Sequence, residues 1–556
     1  MKWKKLEHNG ILFPPDFETK KIKIKIKGES VDLDINQEEM VYQWAKKKDT
    51  PYAQDKVFQK NFLADFAKTF GKKYKKLELD DIDFKNAFNL VDKEKDAKEL
   101  LTKEEKKALA AKRKELREEM KVKFGTGKMD GNEVEIANYM AEPPGIFIGR
   151  GEHPLRGKWK PKVTSKDVTL NLGKEAKVPV GNWGKIVHDQ ESMWMASWTD
   201  FLTQKRKYVW LADTAGIKQD RDKAKYDKAK MLAKEIETIK NKIVKDMQNK
   251  DPKVRRISTV CWLIYRTAMR VGDEKDPDEA DTVGATTLRK EHVTLTSDAI
   301  KFDFLGKDSV RWQETVPAVN NDKQFHENLK ELISKIKPTD EIFGNLTSRD
   351  VNEYYKTVVN GLTAKVFRTF SASTVVSKYL NENGDIKKSS QMEKLYHAKL
   401  ANLEAAKMCN HKRTIPKTFE QSLQKKRDTL KVAQKATPWK KNEETLKKAE
   451  TTKTKTDTQE KKRKERISKI KQMIKKSKTK QKERVEKLKL QLDLTEKTRD
   501  YNLGTSLRNY IDPRIFKSWT DEVTADWEKL YTSALQKKFL WVKSENESWQ
   551  NVSKHY

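Results

Sequence analysis

Lysine and isoleucine alternate strictly over residues 21–27, the run breaks at Gly28-Glu29-Ser30, and Val31, Leu33 and Ile35 resume it. A period of two with one apolar face predicts a β-hairpin with one side buried. The period then changes. Asn36 is placed to cap a helix carrying Met40, Val41, Trp44 and Ala45, and Phe58, Phe62, Phe66 and Phe70 recur every fourth residue along a second helix. A Phe stripe at that spacing reads as core rather than as a platform for stacking bases. Residues 92–123 are dense in Lys, Glu, Ala and Leu, as expected of solvated helices, and carry no visible chemistry.

Gly and Pro punctuate Glu142-Pro143-Pro144-Gly145 and Gly149-Arg150-Gly151-Glu152-His153-Pro154, and a strand-rich region with Trp159, Trp183, Trp194, Trp198 and Trp210 follows. Together these predict a mixed α/β unit ending near Ile217. Beyond it, Ile236, Ile239, Ile243 and Met247 keep helical spacing, and Pro252 suits the first turn of the next helix. A mostly helical domain is predicted from there, interrupted by a strand pair around Phe302 to Val316. After Pro416 the composition shifts: residues 421–500 hold 28 Lys and Arg against 12 Asp and Glu, a balance of +16. Apolar positions there are sparse but periodic, at Leu423, Leu430, Ile467, Ile470, Met473, Ile474, Val485, Leu488 and Leu492. With the Thr-rich residues 451–459 as a tip, this predicts an antiparallel coiled-coil hairpin.

Charge narrows the function. The 556 residues carry 119 Lys and Arg against 84 Asp and Glu, a balance of +35, which suits a polyanionic partner and nucleic acid first. Only two cysteines occur, Cys261 and Cys409, without CxxC spacing, which points to a reducing compartment and no structural zinc. No window approaches the roughly 18 apolar residues a membrane span needs, and the first residues lack the apolar core of a signal peptide, so a soluble intracellular protein is expected. The nearest match to a phosphate-binding loop, Gly125-Thr126-Gly127-Lys128, lacks the first Gly and has Met129 where Ser or Thr would hold magnesium; no ATP site is expected. Asp80-Asp81-Ile82-Asp83 is read as solvated carboxylates, not a metal site.

A side chain that breaks a phosphodiester needs cations at the non-bridging oxygens and an acid for the departing hydroxyl. Arg, His and Lys from separate segments must then gather around a nucleophile. Several uncommon strings supply such groups in order: Met269-Arg270-Val271-Gly272-Asp273-Glu274-Lys275, Asp281-Thr282-Val283-Gly284, Phe302-Asp303-Phe304-Leu305-Gly306-Lys307-Asp308-Ser309, Gly361-Leu362-Thr363-Ala364-Lys365-Val366-Phe367-Arg368-Thr369-Phe370, Cys409-Asn410-His411, and Leu503-Gly504-Thr505-Ser506-Leu507-Arg508-Asn509-Tyr510-Ile511-Asp512-Pro513-Arg514. Along nearly its whole length the chain resembles the eukaryotic-type topoisomerase IB family.

The resemblance implies Tyr510 as nucleophile, Arg270 and Arg368 as catalytic arginines, His411 as the histidine and Lys307 as general acid. Arg150, Asp308, Lys365 and Asn509 match positions that bind DNA or lie near the cleaved bond. It also implies a 3′-phosphotyrosyl link, resealing without ATP or metal, double-stranded DNA as partner, and a monomer. The fold implied is an α+β multidomain clamp. Residues 1–217 would form a mixed α/β DNA-binding cap and 218–413 a mostly helical, tyrosine-recombinase-like catalytic domain. Residues 414–498 would form a protruding basic coiled-coil linker, and 499–556 the tyrosine segment.

Two rival readings remain open, a tyrosine recombinase and a noncatalytic chromatin architectural protein. Recombinases typically carry His three residues before the second arginine, where this chain has Lys365. Because family-like sequence begins at residue 2, without the long charged extension of eukaryotic members, an archaeal or otherwise compact, cytoplasmic, DNA-associated member is expected, or a nuclear one if the source is eukaryotic.

Overall fold

The computed structural model describes residues 2–149, 151–272, 283–383 and 386–556, and of Asp308 only the backbone. The chain divides into two compact units, one of residues 2–222 with the short stretch Leu305–Ser309, the other of residues 223–272, 283–304 and 310–556.

The first unit is built on a seven-stranded sheet in the order Leu6–His8, Thr126–Met129, Asn132–Ala137, Arg206–Leu211, Trp194–Thr199, Thr169–Asn171 and Lys185–Val187. All its neighbours are antiparallel except the last pair. Gly127 lies inside this sheet: a Cβ there would stand 2.7 Å from the Glu7 carbonyl oxygen, so this glycine serves strand packing. Trp3, Leu6, Val168, Leu170, Met195, Trp198 and Val209 fill the core beneath.

A second core gathers around the predicted hairpin, whose strands Ile24–Ile26 and Glu29–Val31 pair Ile24 with Val31 and bury Ile22, Ile24 and Ile26. Three of the four stripe residues lie on the helix Lys56–Lys68, where Phe58, Phe62 and Phe66 are fully buried and Trp44 stacks on Phe62 at 4.6 Å; Phe70 falls in the turn beyond it, half-buried against the same core. The preceding helix, Ile35–Ala45, is capped by Asp34 and not by Asn36. Asp34 accepts from the Gln37 amide at 2.8 Å while the Gln37 side chain accepts from the Asp34 amide at 2.9 Å, a reciprocal pair that starts the helix two residues earlier and leaves Asn36 inside its first turn. Helices Lys85–Leu100 and Lys103–Phe124 are solvated, with Leu100, Leu116 and Val122 exposed. In the acidic cluster Asp81 accepts from the Glu78 amide and Asp83 from the Lys85 amide, so these carboxylates cap local turns.

In the second unit, helices Pro252–Thr267, Asn321–Ser334, Ser348–Val358 and Ala364–Glu382 pack with the three-stranded sheet Val293–Leu295, Ala299–Gly306 and Val310–Pro317. Pro252 occupies the first turn as predicted, behind an Asp251 cap. A separate core joins the helices Ala364–Glu382 and Gln391–Met408 to the tyrosine segment through Ala372, Val376, Ala401, Leu507, Ile511, Phe516 and Trp519. Helices Phe419–Lys435 and Lys440–Thr451 both pack on the 41-residue helix Asp457–Lys497, with the turn at residues 452–456. Their buried side chains are few: Phe419, Leu423, Ala433, Ala449, Ile470, Ile474 and Gln481 among these three helices, while Met473 faces solvent. No helix among the described residues is long and apolar enough to cross a membrane.

Candidate active site

Arg368 is buried on the helix Ala364–Glu382, and its guanidinium reaches two other helix ends. One Nη donates to the Ala268 carbonyl at 2.6 Å and the other to the Cys409 carbonyl. Both acceptors belong to C-capping residues, where carbonyls lack intrahelical partners. Ala268 adopts the left-handed conformation (φ 50°) that ends its helix. Since neutral carbonyls take the hydrogen bonds and no carboxylate among the described residues pairs with Arg368, the positive charge is left for an anion.

Arg270 follows two residues after that cap, its carbonyl accepting from the Ala285 amide at 2.8 Å and the next carbonyl from the Thr286 amide at 2.7 Å. Gly272 (φ +87°) and Gly284 let these two segments touch: a Cβ on Gly284 would lie 2.4 Å from the Gly272 Cα. The remainder of that motif, residues 273–282, lies outside the described residues.

His411 follows Asn410, which is left-handed at φ 49°. Its carbonyl accepts from the Asn502 amide at 2.7 Å, Lys412 bridges Tyr501, and the Arg413 amide donates to the Asp500 carbonyl at 2.8 Å. A short antiparallel contact thus brings the histidine beside the tyrosine segment across an intervening 80 or so residues of hairpin. The imidazole is buried with neither ring nitrogen hydrogen-bonded among the described residues. Burial first, then the charges of Arg368 and Arg270, hold its pKa down at about 3, so it is neutral at physiological pH. The same burial pushes the Cys409 thiol up, with the two arginines opposing.

Tyr510, half-buried, caps the helix Leu503–Asn509, its amide donating to the Ser506 carbonyl at 2.9 Å. Its ring stacks on His411 at 5.4 Å and 28°, and the Arg368 guanidinium lies 5.0 Å from the ring centroid. Arg368, His411 and Tyr510 are therefore in mutual contact or one side chain apart, with Arg270 close enough to act on His411 electrostatically. A tyrosine ring against one guanidinium and a neutral imidazole, with a second guanidinium acting on that imidazole, is equipped to attack, or release, an anionic phosphoryl group.

The other expected residues fall as follows. Lys365 is exposed in the first turn of the Arg368 helix. Asn509 is exposed, its side-chain amide donating to the Thr505 carbonyl at 3.1 Å and its own carbonyl accepting from Lys225 Nζ at 3.2 Å. Lys307 is exposed in the turn between Ala299–Gly306 and Val310–Pro317, within the stretch that belongs to the first unit. In that same unit a Cβ on Gly151 would lie 2.2 Å from Ser309 Oγ, so the Gly-Arg-Gly loop runs against this turn. Arg150 itself and the Asp308 side chain lie outside what is described. Sequence reading missed the carbonyls of Ala268 and Cys409, which orient Arg368, and it missed Ser373, whose hydroxyl contacts the Tyr510 backbone.

Three family matches cover most of the chain: eukaryotic DNA topoisomerase I, DNA binding fragment, over 1–211; eukaryotic DNA topoisomerase I, catalytic core, over 214–445; and the C-terminal topoisomerase domain over 482–551. DNA topoisomerase 1 beta of Arabidopsis thaliana is 35% identical over 551 residues, 97% of this chain and 58% of that protein. DNA topoisomerase 1 of Xenopus laevis is 34% identical over 97% of this chain and 65% of its own length. The chain thus spans under two thirds of these relatives. They give the expectation of an archaeal member no support. With DNA topoisomerase 1 of Homo sapiens the identity is 33% over 562 residues, 98% of this chain and 71% of that protein, and on this likeness the chain belongs to the eukaryotic DNA topoisomerase I family.

Proposed function

We propose that the chain relaxes supercoiled double-stranded DNA as a type IB topoisomerase, cutting one strand with Tyr510, letting the duplex swivel, and resealing it. The observation that carries this reading is the contact of Tyr510 with His411 and Arg368, with the Arg270 charge felt at the same imidazole. The Tyr510 oxygen would bond to a backbone phosphorus as the bond to the 5′ oxygen breaks, leaving a 3′-phosphotyrosine. Its phenolic proton would pass to water, and Lys307 would protonate the leaving oxygen. Arg270, Arg368 and His411 would donate to the non-bridging oxygens, whose charge grows in the transition state. Exchange of one phosphodiester for another conserves the bond energy, so the 5′ hydroxyl reseals the strand without ATP or metal.

In this reading residues 1–217 are a DNA-binding cap and 218–413 the catalytic domain of a monomeric clamp. Residues 414–498 are a coiled-coil linker and 499–556 deliver the nucleophile. Arg150, Asp308, Lys365 and Asn509 contact DNA near the cleaved bond. The protein works where its DNA lies, in the nucleus if the source is eukaryotic. Plasmid relaxation in EDTA without nucleotide is the test. Wild type is expected to relax both supercoil signs and to leave a detergent-trapped protein–DNA adduct. Tyr510→Phe is expected to bind DNA with neither activity, because the phosphate contacts persist without the nucleophile. Adduct formed by Tyr510→Phe would remove Tyr510 from this role, and an inactive wild type would overturn the reading.

A further inference from the structure

We propose that Ser373 is a positioning residue for Tyr510, clasping the backbone on the C-terminal side of the nucleophile to the helix that carries Arg368. The inference rests on the reading of Tyr510 as nucleophile.

Ser373 is fully buried on the helix Ala364–Glu382, five residues beyond Arg368. Its hydroxyl donates to the Tyr510 carbonyl at 3.4 Å, and its oxygen accepts from the Asp512 amide at 3.0 Å. The two bonds straddle Ile511 and use both capacities of one hydroxyl. On the N-terminal side the Tyr510 amide donates to the Ser506 carbonyl, and the Asn509 carbonyl accepts from Lys225 Nζ at 3.2 Å; neither bond reaches the arginine-bearing helix. Without Ser373, the peptide following the nucleophile has no other partner on the arginine-bearing helix among these bonds.

Asp512, the second residue of the clasp, is itself immobilised. Its buried carboxylate accepts from Arg514 Nε and Nη2 at 3.1 and 2.8 Å and from the Tyr556 hydroxyl at 2.8 Å, while Arg514 Nη1 donates to Asp227 at 2.6 Å. The Tyr556 ring in turn lies 6.3 Å from Phe370 of the Arg368 helix. Two routes, one through Ser373 and one through Asp512 and Tyr556, therefore tie the nucleophile's backbone to the same helix that supplies a catalytic cation. In-line attack depends on that relation, and misplacement by about an ångström costs on the order of 100-fold in rate.

The same helix provides its own control. Ser377, one turn further on, is equally buried and its hydroxyl has no hydrogen-bond partner among the described residues. Removing that hydroxyl tests helix packing without touching the nucleophile.

Single-turnover cleavage and religation on a suicide oligonucleotide would be measured for full-length wild type, Ser373→Ala, Ser377→Ala and Tyr556→Phe, with DNA affinity and melting temperature. Ser373→Ala is expected to slow both steps about 10- to 100-fold at unchanged DNA affinity. It is expected to stay slow when the 5′ bridging oxygen is sulfur, since the defect lies in the attack and not in the leaving group. Ser377→Ala should match wild type. Tyr556→Phe, which loosens the clasp from its other end without altering the Arg368 helix, should slow cleavage in the same sense and decides the matter if Ser373→Ala does not fold. Wild-type cleavage by Ser373→Ala, equal losses in Ser373→Ala and Ser377→Ala, sulfur rescue of Ser373→Ala, or an unaffected Tyr556→Phe would overturn the clasp. Failure of the wild type to form any adduct would overturn the nucleophile reading and the clasp with it.

Discussion

His411 illustrates how burial selects a protonation state. Its pKa of about 3 means that the folded protein keeps the ring neutral where an unfolded chain, near 6.5, would take up a proton. Between those values the unfolded state binds more protons, so stability associated with this group is intact above about pH 6.5 and is lost as pH falls toward 3. The slope from one such group approaches about 1.4 kcal/mol per pH unit. Replacing His411 with Asn is therefore expected to reduce the fall in melting temperature between pH 7 and pH 4.5 relative to wild type. An identical fall in both proteins would show that the imidazole charges freely in the folded state. Lys307 is tested by chemistry instead. Lys307→Ala should cleave ordinary DNA at least about 100-fold more slowly and recover on a substrate whose 5′ bridging oxygen is sulfur, which leaves without a proton. No recovery would remove Lys307 from the general-acid role. What the sequence could not reveal at this scale is equally specific. Arg368 is oriented by the carbonyls of Ala268 and Cys409, and a carbonyl belongs to every residue, so no side-chain motif marks it. Ser373 was invisible for the same reason: one serine in a helix reports nothing until the chain segment it meets is known.

Secondary-structure elements were legible where a single period dominates. The Lys-Ile alternation and the fourfold Phe spacing each bury one face, and their partners lie nearby in sequence. Asn36 was misjudged as a cap because Asp34 with Gln37 and Asn36 with Glu39 both offer a capping pair, and the sequence does not say which of the two the chain uses. Met473 was misjudged because the hairpin's apolar seam is narrow, and one step around the helix carries a side chain into water. Glycine usage carries the strongest element-level prediction. Gly284→Ala would drive a methyl into the Gly272 backbone, which has no flexible atom to yield, and would push on the segment that presents Arg270. Overpacking of this kind costs about 1–3 kcal/mol. We expect a lower melting temperature and at least a 10-fold loss of single-turnover cleavage, against little change for Gly145→Ala, where a Cβ meets no atom within 4 Å. Equal cleavage by the two variants would show that the Gly272–Gly284 approach does not position Arg270.

At the scale of the whole molecule, the basic hairpin is expected to be chemically separable from the site it interrupts. The helix Asp457–Lys497 is about 60 Å long at 1.5 Å per residue. It is held to its partners by a small apolar cluster and by exposed pairs such as Arg427–Glu496 at 2.7 Å and Lys478–Glu443 at 2.8 Å. Exposed pairs of that sort contribute at most about 1 kcal/mol each. Its root is different, because Tyr396 of the helix Gln391–Met408 donates to Asp493 and accepts from Lys497 at 3.1 Å. Replacing residues 421–488 with a flexible linker would keep that root and the His411–Asn502 contact. The lysines removed would act over roughly a Debye length, about 8 Å at physiological salt, and so are expected to resist a turning duplex without gripping a fixed sequence. Cleavage of a short oligonucleotide is expected to survive, while single supercoiled molecules followed by magnetic tweezers should release more turns per cleavage event. Added salt should move the wild type toward the shortened protein by screening the same charges. Unchanged turns per event would refute a restraining role, and loss of oligonucleotide cleavage in a folded variant would place the hairpin among the elements that build the active site.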